Sequence, residues 1–337
     1  MKRVLVVKLS SLGDIAHALP SARALKRRVP GLELHWVVQP EYVSLLERCP
    51  DVDRVIAFPR RHFLRQAGAF AKAVRRDRYD AVLDLQGLAK SALAAVLARR
   101  TPRGPRIGPA WAREGASLVY TIQPVRGAGP RRHAVDELLD VVGLWAPPAP
   151  PSGTPAETER PRIDITPDDG GTESEGLGPR IALAPFSRWT TKNWGPGNFA
   201  GVGRRLAREV GAKVFVLGSA ADQPDGERLA RDIPGARNVC GRFGLVEMCA
   251  FLKTVDLMVS VDSGPLHWAD AMGVPIVAVY GSTNPDRTGP YFQRSWVVTE
   301  ENLPCRPCHA RVCRRGDIAC LSQLSADRVA DIALSRL

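Results

Sequence analysis

Three short segments of this 337-residue chain group side chains able to do chemistry. In the first, the apolar run Val259-Ser260-Val261 meets Asp262-Ser263-Gly264-Pro265-Leu266-His267, so a strand ending at Asp262 should open at Ser263-Gly264 into a helix. The first-turn N–H groups of a helix lack partners within it and carry partial positive charge, which makes this turn an anion site suited to a diphosphate. Gly264 lets the backbone approach phosphates, and Pro265 suits a first turn because it has no N–H to orphan. His267, one turn further, stands where a helical histidine is more often structural than functional. In the second segment, Val4–Val7 runs through Lys8 into Ser10-Ser11-Leu12-Gly13-Asp14. A buried strand turning through a glycine into a helix puts Gly13 and Asp14 at the carboxyl edge of a parallel sheet, where open α/β folds build their sites. Asp14 either acts there or caps the helix expected from Ile15. The third is Cys305, Cys308, Cys313 and Cys320. In a reducing compartment this spacing reads as metal or iron–sulfur ligation before disulfide; a structural zinc with His309 as substitute ligand is one option and free or partly oxidised thiols the other. Cys49, Cys240 and Cys249 read as small buried apolar residues.

The elements that must position these groups alternate. Strands are expected at Arg3–Lys8, Leu32–Val38, Arg54–Phe58 and Ala81–Leu85, with helices over Ile15–Arg28, Glu41–Arg48, Leu64–Arg76 and Leu88–Ala98. Such a βα series implies a parallel sheet covered on both faces by right-handed crossovers. Residues 148–179 turn to Pro, Gly, Ser, Thr and acidic side chains, too poor in apolar surface to order themselves, and read as an interdomain linker. Within it Arg162–Ile165 alternates like a short strand, and Thr166–Gly178 reads as a disordered insertion. The rhythm then restarts: strand Ile181–Ala184, helix Phe199–Val210, strand Lys213–Leu217, helices Asp225–Arg231 and Leu245–Lys253, strand Leu257–Ser260, helix Pro265–Met272, strand Ile276–Tyr280. Two Rossmann-like halves emerge, residues 1–147 and 180–337.

Length above the limit of a single core agrees with two domains, and no apolar run approaches the ~20 residues of a membrane span. The N-terminal apolar run breaks at Lys8, short of the ~7 residues a signal peptide needs, so a cytoplasmic location is expected. Net charge is +12, with arginines clustered at Arg60-Arg61, Arg75-Arg76, Arg99-Arg100, Arg103, Arg106 and Arg131-Arg132. A basic first half suits an anionic partner: nucleic acid, lipid headgroups or a phosphorylated glycolipid. Aromatics make up only 6% and helix-turn-helix, RNP and zinc-finger spacings are missing, which argues against nucleic-acid readout.

Several blocks, in order, resemble the lipopolysaccharide core heptosyltransferases of glycosyltransferase family 9. The first loop matches the family's S-S-x-G-D, whose carboxylate is catalytic, which implies Asp14 as base. Asp80–Ser91, D-A-V-L-D-L-Q-G-L-A-K-S, is closest to heptosyltransferase I-like members. The loop Pro185–Trp194 resembles the family's loop ending in K-x-W, and Asp262, Ser263, Gly264 and His267 match D-[ST]-G-x-x-H. The resemblance implies that these four hold a donor nucleotide-sugar. Lys192, assisted by Ser187 and Arg188, would stabilise the charge that grows on a departing nucleoside diphosphate. Asp222 stands where the family places an acidic ribose ligand, with Asp225 and Glu227 as competitors, and Cys240–Phe243 resembles the turn that reads the nucleobase. Gly13, Arg60, Arg61, Gln86, Lys90 and His133 are the candidates for the acceptor side, where arginine's planar fork suits phosphates and carboxylates. Heptosyltransferase II-like members carry a similar cysteine-rich segment without needing a metal for chemistry.

The resemblance implies a GT-B fold, two Rossmann-like domains with parallel sheets facing across a cleft. The implied activity is inverting transfer of L-glycero-D-manno-heptose from ADP-heptose to the Kdo/lipid A inner core of lipopolysaccharide. No cofactor is required for that chemistry. The expected partners are an ADP-sugar, an anionic glycolipid and the cytoplasmic surface of the inner membrane, with the protein a monomer. Two rivals remain open: a GT-B transferase or epimerase using a UDP-sugar, and a non-enzymatic protein that binds polyanions or membranes through its charge.

Overall fold

The computed structural model describes residues 1–61, 63–125, 132–147, 159–168, 170–171 and 178–337. The chain divides into two compact units, Met1–Asp164 and Ile165–Leu337.

In the first unit five strands form one parallel sheet: β1 (Arg3–Val7), β2 (Glu33–Val38), β3 (Arg54–Ala57), β4 (Ala81–Asp84) and β5 (Arg106–Ile107), in the order β3-β2-β1-β4-β5. Val4–Val7 and Ala81–Asp84 are buried throughout, as strands covered on both faces must be. β1 pairs with β2 on one side and β4 on the other, with Val7 opposite Asp84. The strand order therefore reverses between β1 and β4, and loops leaving the carboxyl ends of these two strands diverge to opposite faces. Leu12–Arg28 is the helix after β1, three residues longer at its start than expected, because Ser11 rather than Asp14 occupies the cap position. The helix expected over Glu41–Arg48 shrinks to a 3-10 turn, Pro40–Tyr42, and one α-turn, Val43–Leu46. The structure adds Ala134–Gly143, which lays Val135, Leu138, Val141 and Val142 inward beside Leu12–Arg28.

The second unit repeats the plan with six parallel strands: β6 (Arg180–Ala184), β7 (Lys213–Val216), β8 (Arg237–Asn238), β9 (Leu257–Val261), β10 (Ile276–Tyr280) and β11 (Val297–Thr299). Their order is β11-β10-β9-β6-β7-β8. Here the reversal lies between β6 and β9, where Ala184 stands opposite Ser260. The apolar faces of β6, β7, β9 and β10 share one core with the helix Pro196–Val210 and a C-terminal helix, Ala326–Arg336.

The segment read as a linker makes specific contacts at several of its described residues. Glu159, 6% exposed, pairs with Arg27 at 3.5 Å and Arg28 at 3.3 Å. Arg162 reaches Asp51 at 2.7 Å and the Asp164 N–H donates to the Arg48 carbonyl. Residues Arg162–Ile165 join no strand; the Arg162–Asp51 pair and one backbone bond to Arg48 hold them instead. On the second unit, Lys253 donates to the Ile165 carbonyl at 2.8 Å, the Asp168 N–H to Ala250, and Arg242 to the Gly170 carbonyl at 2.7 Å. Composition missed these contacts because they use backbone carbonyls and ion pairs rather than apolar burial. The remainder of Thr166–Gly178 lies outside the described residues.

Candidate active site

In the first unit the candidate groups other than His133 follow the carboxyl ends of β1, β3 and β4. Asp14 is the third residue of the helix that follows β1, and its side chain is exposed. Its Oδ2 accepts from the Ser11 N–H at 2.9 Å and the Ser11 hydroxyl at 2.7 Å, a capping box that fixes the carboxylate relative to the loop. Asp14 is thus not the cap residue of a helix beginning at Ile15 but the third helical residue, whose carboxylate braces the Ser11 cap and stands exposed after β1. Gly13 is the second helical residue. Arg60 and Arg61 are exposed after β3, with Arg60 3.5 Å from the Gln39 amide oxygen, and Lys90 is exposed at the start of the helix Ala89–Leu97.

Two of the acceptor candidates are used differently. His133 is buried, 3% exposed; its Nδ1 accepts the Val135 N–H at 3.2 Å, capping Ala134–Gly143, and its ring lies edge-on to His17. A side chain spent on a cap and shut from solvent is a poor phosphate ligand, so His133 leaves the acceptor set. Gln86 turns its amide oxygen toward the loop after β1 rather than outward.

In the second unit, Asp262 leaves β9 with only 4% exposure. Lys192 lies 2.6 Å from its Oδ2, the Thr283 hydroxyl donates to the same oxygen at 2.7 Å, and His267 Nε2 lies 3.4 Å from Oδ1. Burial alone would raise the Asp262 carboxyl, but the His267 hydrogen bond and the Lys192 charge outweigh it and hold the group below the ordinary carboxylate range. Ser263 stands at the N-cap position of the helix Gly264–Met272 without a side-chain capping bond, and the second helical residue is Pro265. A cation, an imidazole and the N-terminus of this helix are thus gathered around one ionised carboxylate.

The loop after β6 carries Lys192 at the end of a 3-10 turn, Thr190–Lys192. Asn193 cinches that loop: its Oδ1 accepts the Ser187 N–H at 2.7 Å and its Nδ2 donates to the Ser187 carbonyl at 3.1 Å. Ser187 is half-buried and Arg188 exposed. Trp194, 3% exposed, anchors the end of the loop edge-on to Phe199 and donates to the Leu324 carbonyl at 3.0 Å. Trp194→Phe should therefore cost about 1–2 kcal/mol by leaving that carbonyl unpaired, measured by denaturant unfolding; an unchanged midpoint would mean the bond adds nothing.

Asp222 repeats the device seen at Asp14, accepting from the Ser219 N–H at 2.8 Å and hydroxyl at 2.5 Å. Its competitors are engaged on their own helix, Asp225 with Arg228 and Glu227 with Arg231. Next to it Gly241 has φ +71°, and a Cβ there would sit 2.6 Å from the Ala220 Cα, so only glycine lets the Cys240–Phe243 turn close against the β7 loop. Phe243 stacks on Phe251.

The four spaced cysteines lie near one another: burial, with the charges of Cys308, Cys305 and Cys313, raises the Cys320 thiol. Cys305 and Cys308 are exposed, Cys313 half-buried and Cys320 buried, all as free thiols. Among the described residues no group of three or more His, Cys, Asp or Glu is arranged to hold a metal ion. The segment also walls the lysine loop. Thr191 donates to the Ala310 carbonyl at 2.6 Å, Thr190 to that of Arg311, and the His309 N–H to that of Ser282 at 2.9 Å. The Trp189 ring lies 4.8 Å from Lys192 Nζ and 5.0 Å from the Arg311 guanidinium. Burial and the charges of Arg287 and Lys192 hold His309 below its ordinary value. Thr283, Asn193 and Arg311 were not legible as site residues. Their only sequence signal is their place in loops that follow strands.

The profile of glycosyltransferase family 9 (heptosyltransferase) matches residues 67–319. The chain belongs to this family. Similar proteins include lipopolysaccharide heptosyltransferase 1 of Pseudomonas aeruginosa, 28% identical over 97% of this chain and 96% of its own length, and the protein of that name from Escherichia coli K12, 28% identical over 89% and 95%. Among solved structures, E. coli heptosyltransferase WaaC with ADP superposes with a TM-score of 0.78 at 25% identity, covering 99% of this chain and all of the other. The family 9 chain is accordingly a glycosyltransferase of GT-B class, one Rossmann-like domain per unit. Among its described residues no helix is long and apolar enough to cross a membrane.

Proposed function

We propose that this protein transfers L-glycero-D-manno-heptose from ADP-heptose to an anionic inner-core acceptor on lipid A, inverting the anomeric centre in one displacement. The observation that carries the reading is the Lys192–Asp262–His267 cluster at the start of Gly264–Met272, in a chain whose relatives are lipopolysaccharide heptosyltransferases, one solved with ADP. As the acceptor hydroxyl attacks the anomeric carbon, Asp14 takes its proton and the bond to the diphosphate breaks. The released charge passes to Lys192 and the open N–H groups of the helix. Asp262 is a weak base, because its carboxyl is held well below the ordinary range; its part is to orient Lys192 and His267. Ser187 and Asp222 are assigned to the donor with them, Asp222 to the ribose. We take the active form to be a monomer, since one chain carries both sets of groups.

Incubation of acceptor lipid with ADP- and UDP-sugars, followed by mass spectrometry, tests this. One heptose should be added from ADP-heptose; extension from a UDP-sugar alone would overturn the reading.

The acceptor is assigned to the cytoplasmic face of the inner membrane, with Arg60, Arg61 and Lys90 taking its anionic groups. The exposure of these cations at the sheet edge that bears Asp14 supports this. Reversing both arginines to Glu should raise the acceptor KM roughly 10- to 100-fold, the scale of one lost charge-assisted hydrogen bond, and leave ADP affinity unchanged. Binding to anionic vesicles should weaken, by less in added salt, since exposed charges are screened beyond ~8–10 Å. Unchanged acceptor kinetics would remove the pair from the acceptor site.

A further inference from the structure

The loop that leads from β1 to the helix bearing Asp14 is tied to the turn after β4. The Gln86 amide oxygen accepts the N–H groups of Leu9 at 3.2 Å and Ser10 at 3.3 Å. Lys8 Nζ donates to the Leu85 carbonyl at 3.1 Å from the same stretch. Ser10 is bonded to Ser11, the residue whose N–H and hydroxyl hold the Asp14 carboxylate. The turn bearing Gln86 is itself fixed from below. Asp84, fully buried, accepts the N–H groups of Gln86 at 2.8 Å and Gly87 at 3.0 Å on one oxygen, and the Tyr120 hydroxyl at 2.6 Å on the other. Gly87, at φ +73°, has no room for a Cβ, which would fall 2.7 Å from Pro109.

We infer that Gln86 is a positioning residue for the reaction: held by the Asp84–Tyr120 pair, it fixes the Leu9-Ser10 backbone and so sets where the Asp14 carboxylate stands. This rests on the assignment of Asp14 as base. The amide suits the task because one neutral oxygen has two lone pairs for two N–H donors. It adds no charge beside a carboxylate that must accept a proton. Without Gln86 those two N–H groups turn to water, the loop gains freedom, and the base samples positions away from the acceptor hydroxyl. Small misplacements of a reacting group are costly to the chemical step while leaving ground-state binding nearly untouched.

The test is steady-state kinetics of Gln86→Ala, Gln86→Glu and Tyr120→Phe, with amide hydrogen exchange at Leu9 and Ser10. For Gln86→Ala we expect kcat to fall ~10- to 100-fold, both KM values to stay within about threefold, and exchange at Leu9 and Ser10 to quicken. Gln86→Glu, whose carboxylate also accepts both N–H groups, should restore most of kcat at saturating acceptor. Tyr120→Phe should lower kcat less, and its loss should not add to that of Gln86→Ala, because both act through one turn. A raised acceptor KM with unchanged kcat would overturn the inference and make Gln86 an acceptor ligand. Wild-type kcat in Gln86→Ala would overturn it too. Asp14→Asn in parallel separates the two claims: if it turns over normally, the base assignment falls, whereas if it is inactive and Gln86→Ala is not, only the positioning falls.

Discussion

Asp14→Asn should lose at least ~100-fold in turnover, the usual scale of a removed general base, while folding normally and binding ADP as the native protein does. The change is confined because the asparagine side-chain oxygen can still accept from the Ser11 N–H and hydroxyl that now bind the carboxylate. The helix Leu12–Arg28 therefore keeps its cap and loses only a charge near its N-terminus, about 0.3–1 kcal/mol at an exposed position. The donor is assigned to the other unit, so its affinity has no reason to move. Turnover measured with ADP-heptose, with ADP binding by calorimetry and the melting temperature as controls, decides the matter. Native-like turnover would leave Asp14 as a helix cap and nothing more.

Lys192→Ala should lower kcat by roughly 10²- to 10³-fold, more than it raises the donor KM, because the diphosphate charge that Lys192 meets grows toward the transition state. The structure adds a second consequence. Lys192 sits 2.6 Å from Asp262, and its removal leaves that buried carboxylate to His267 and Thr283. A carboxyl whose folded value is depressed contributes stability above its unfolded value, and that contribution is lost as the pH falls through the folded value. Asp262 is such a group, and removing Lys192 lets it rise. The stability gap between native protein and variant should thus be widest at neutral pH and narrow below about pH 4. Urea unfolding across that range reads it. A gap that widens in acid would contradict the pairing, and a change in KM alone would make Lys192 an ordinary binding residue.

The cysteine-rich segment shows what spacing leaves out. Four cysteines at short intervals point to ligation, but not to the second use of their loop: the backbone of Ala310 and Arg311 is bonded to Thr191 and Thr190, and the segment is a wall for the lysine loop. His133 and Gln86 teach the same lesson for charged and polar candidates. Each stands near its expected loop, yet one is used as a cap and the other holds a neighbouring backbone, because burial and partner choice depend on what packs over a residue.

By itself the sequence determined what depends on residues a few positions apart. That covers the alternation of apolar strands with amphipathic helices, the glycine turn that places Asp14 after the first strand, and the helix start at Ser263-Gly264. These follow from the periods of the pleat and helix and from the points where one gives way to the other. Only the tertiary structure decided which strands lie side by side. Setting β1 beside β4 brings Gln86 to Leu9 and Ser10, and setting β6 beside β9 brings Lys192 to Asp262. Parallel neighbours are joined by crossovers whose ends meet through long-range packing, and no local preference encodes which neighbour a strand will take.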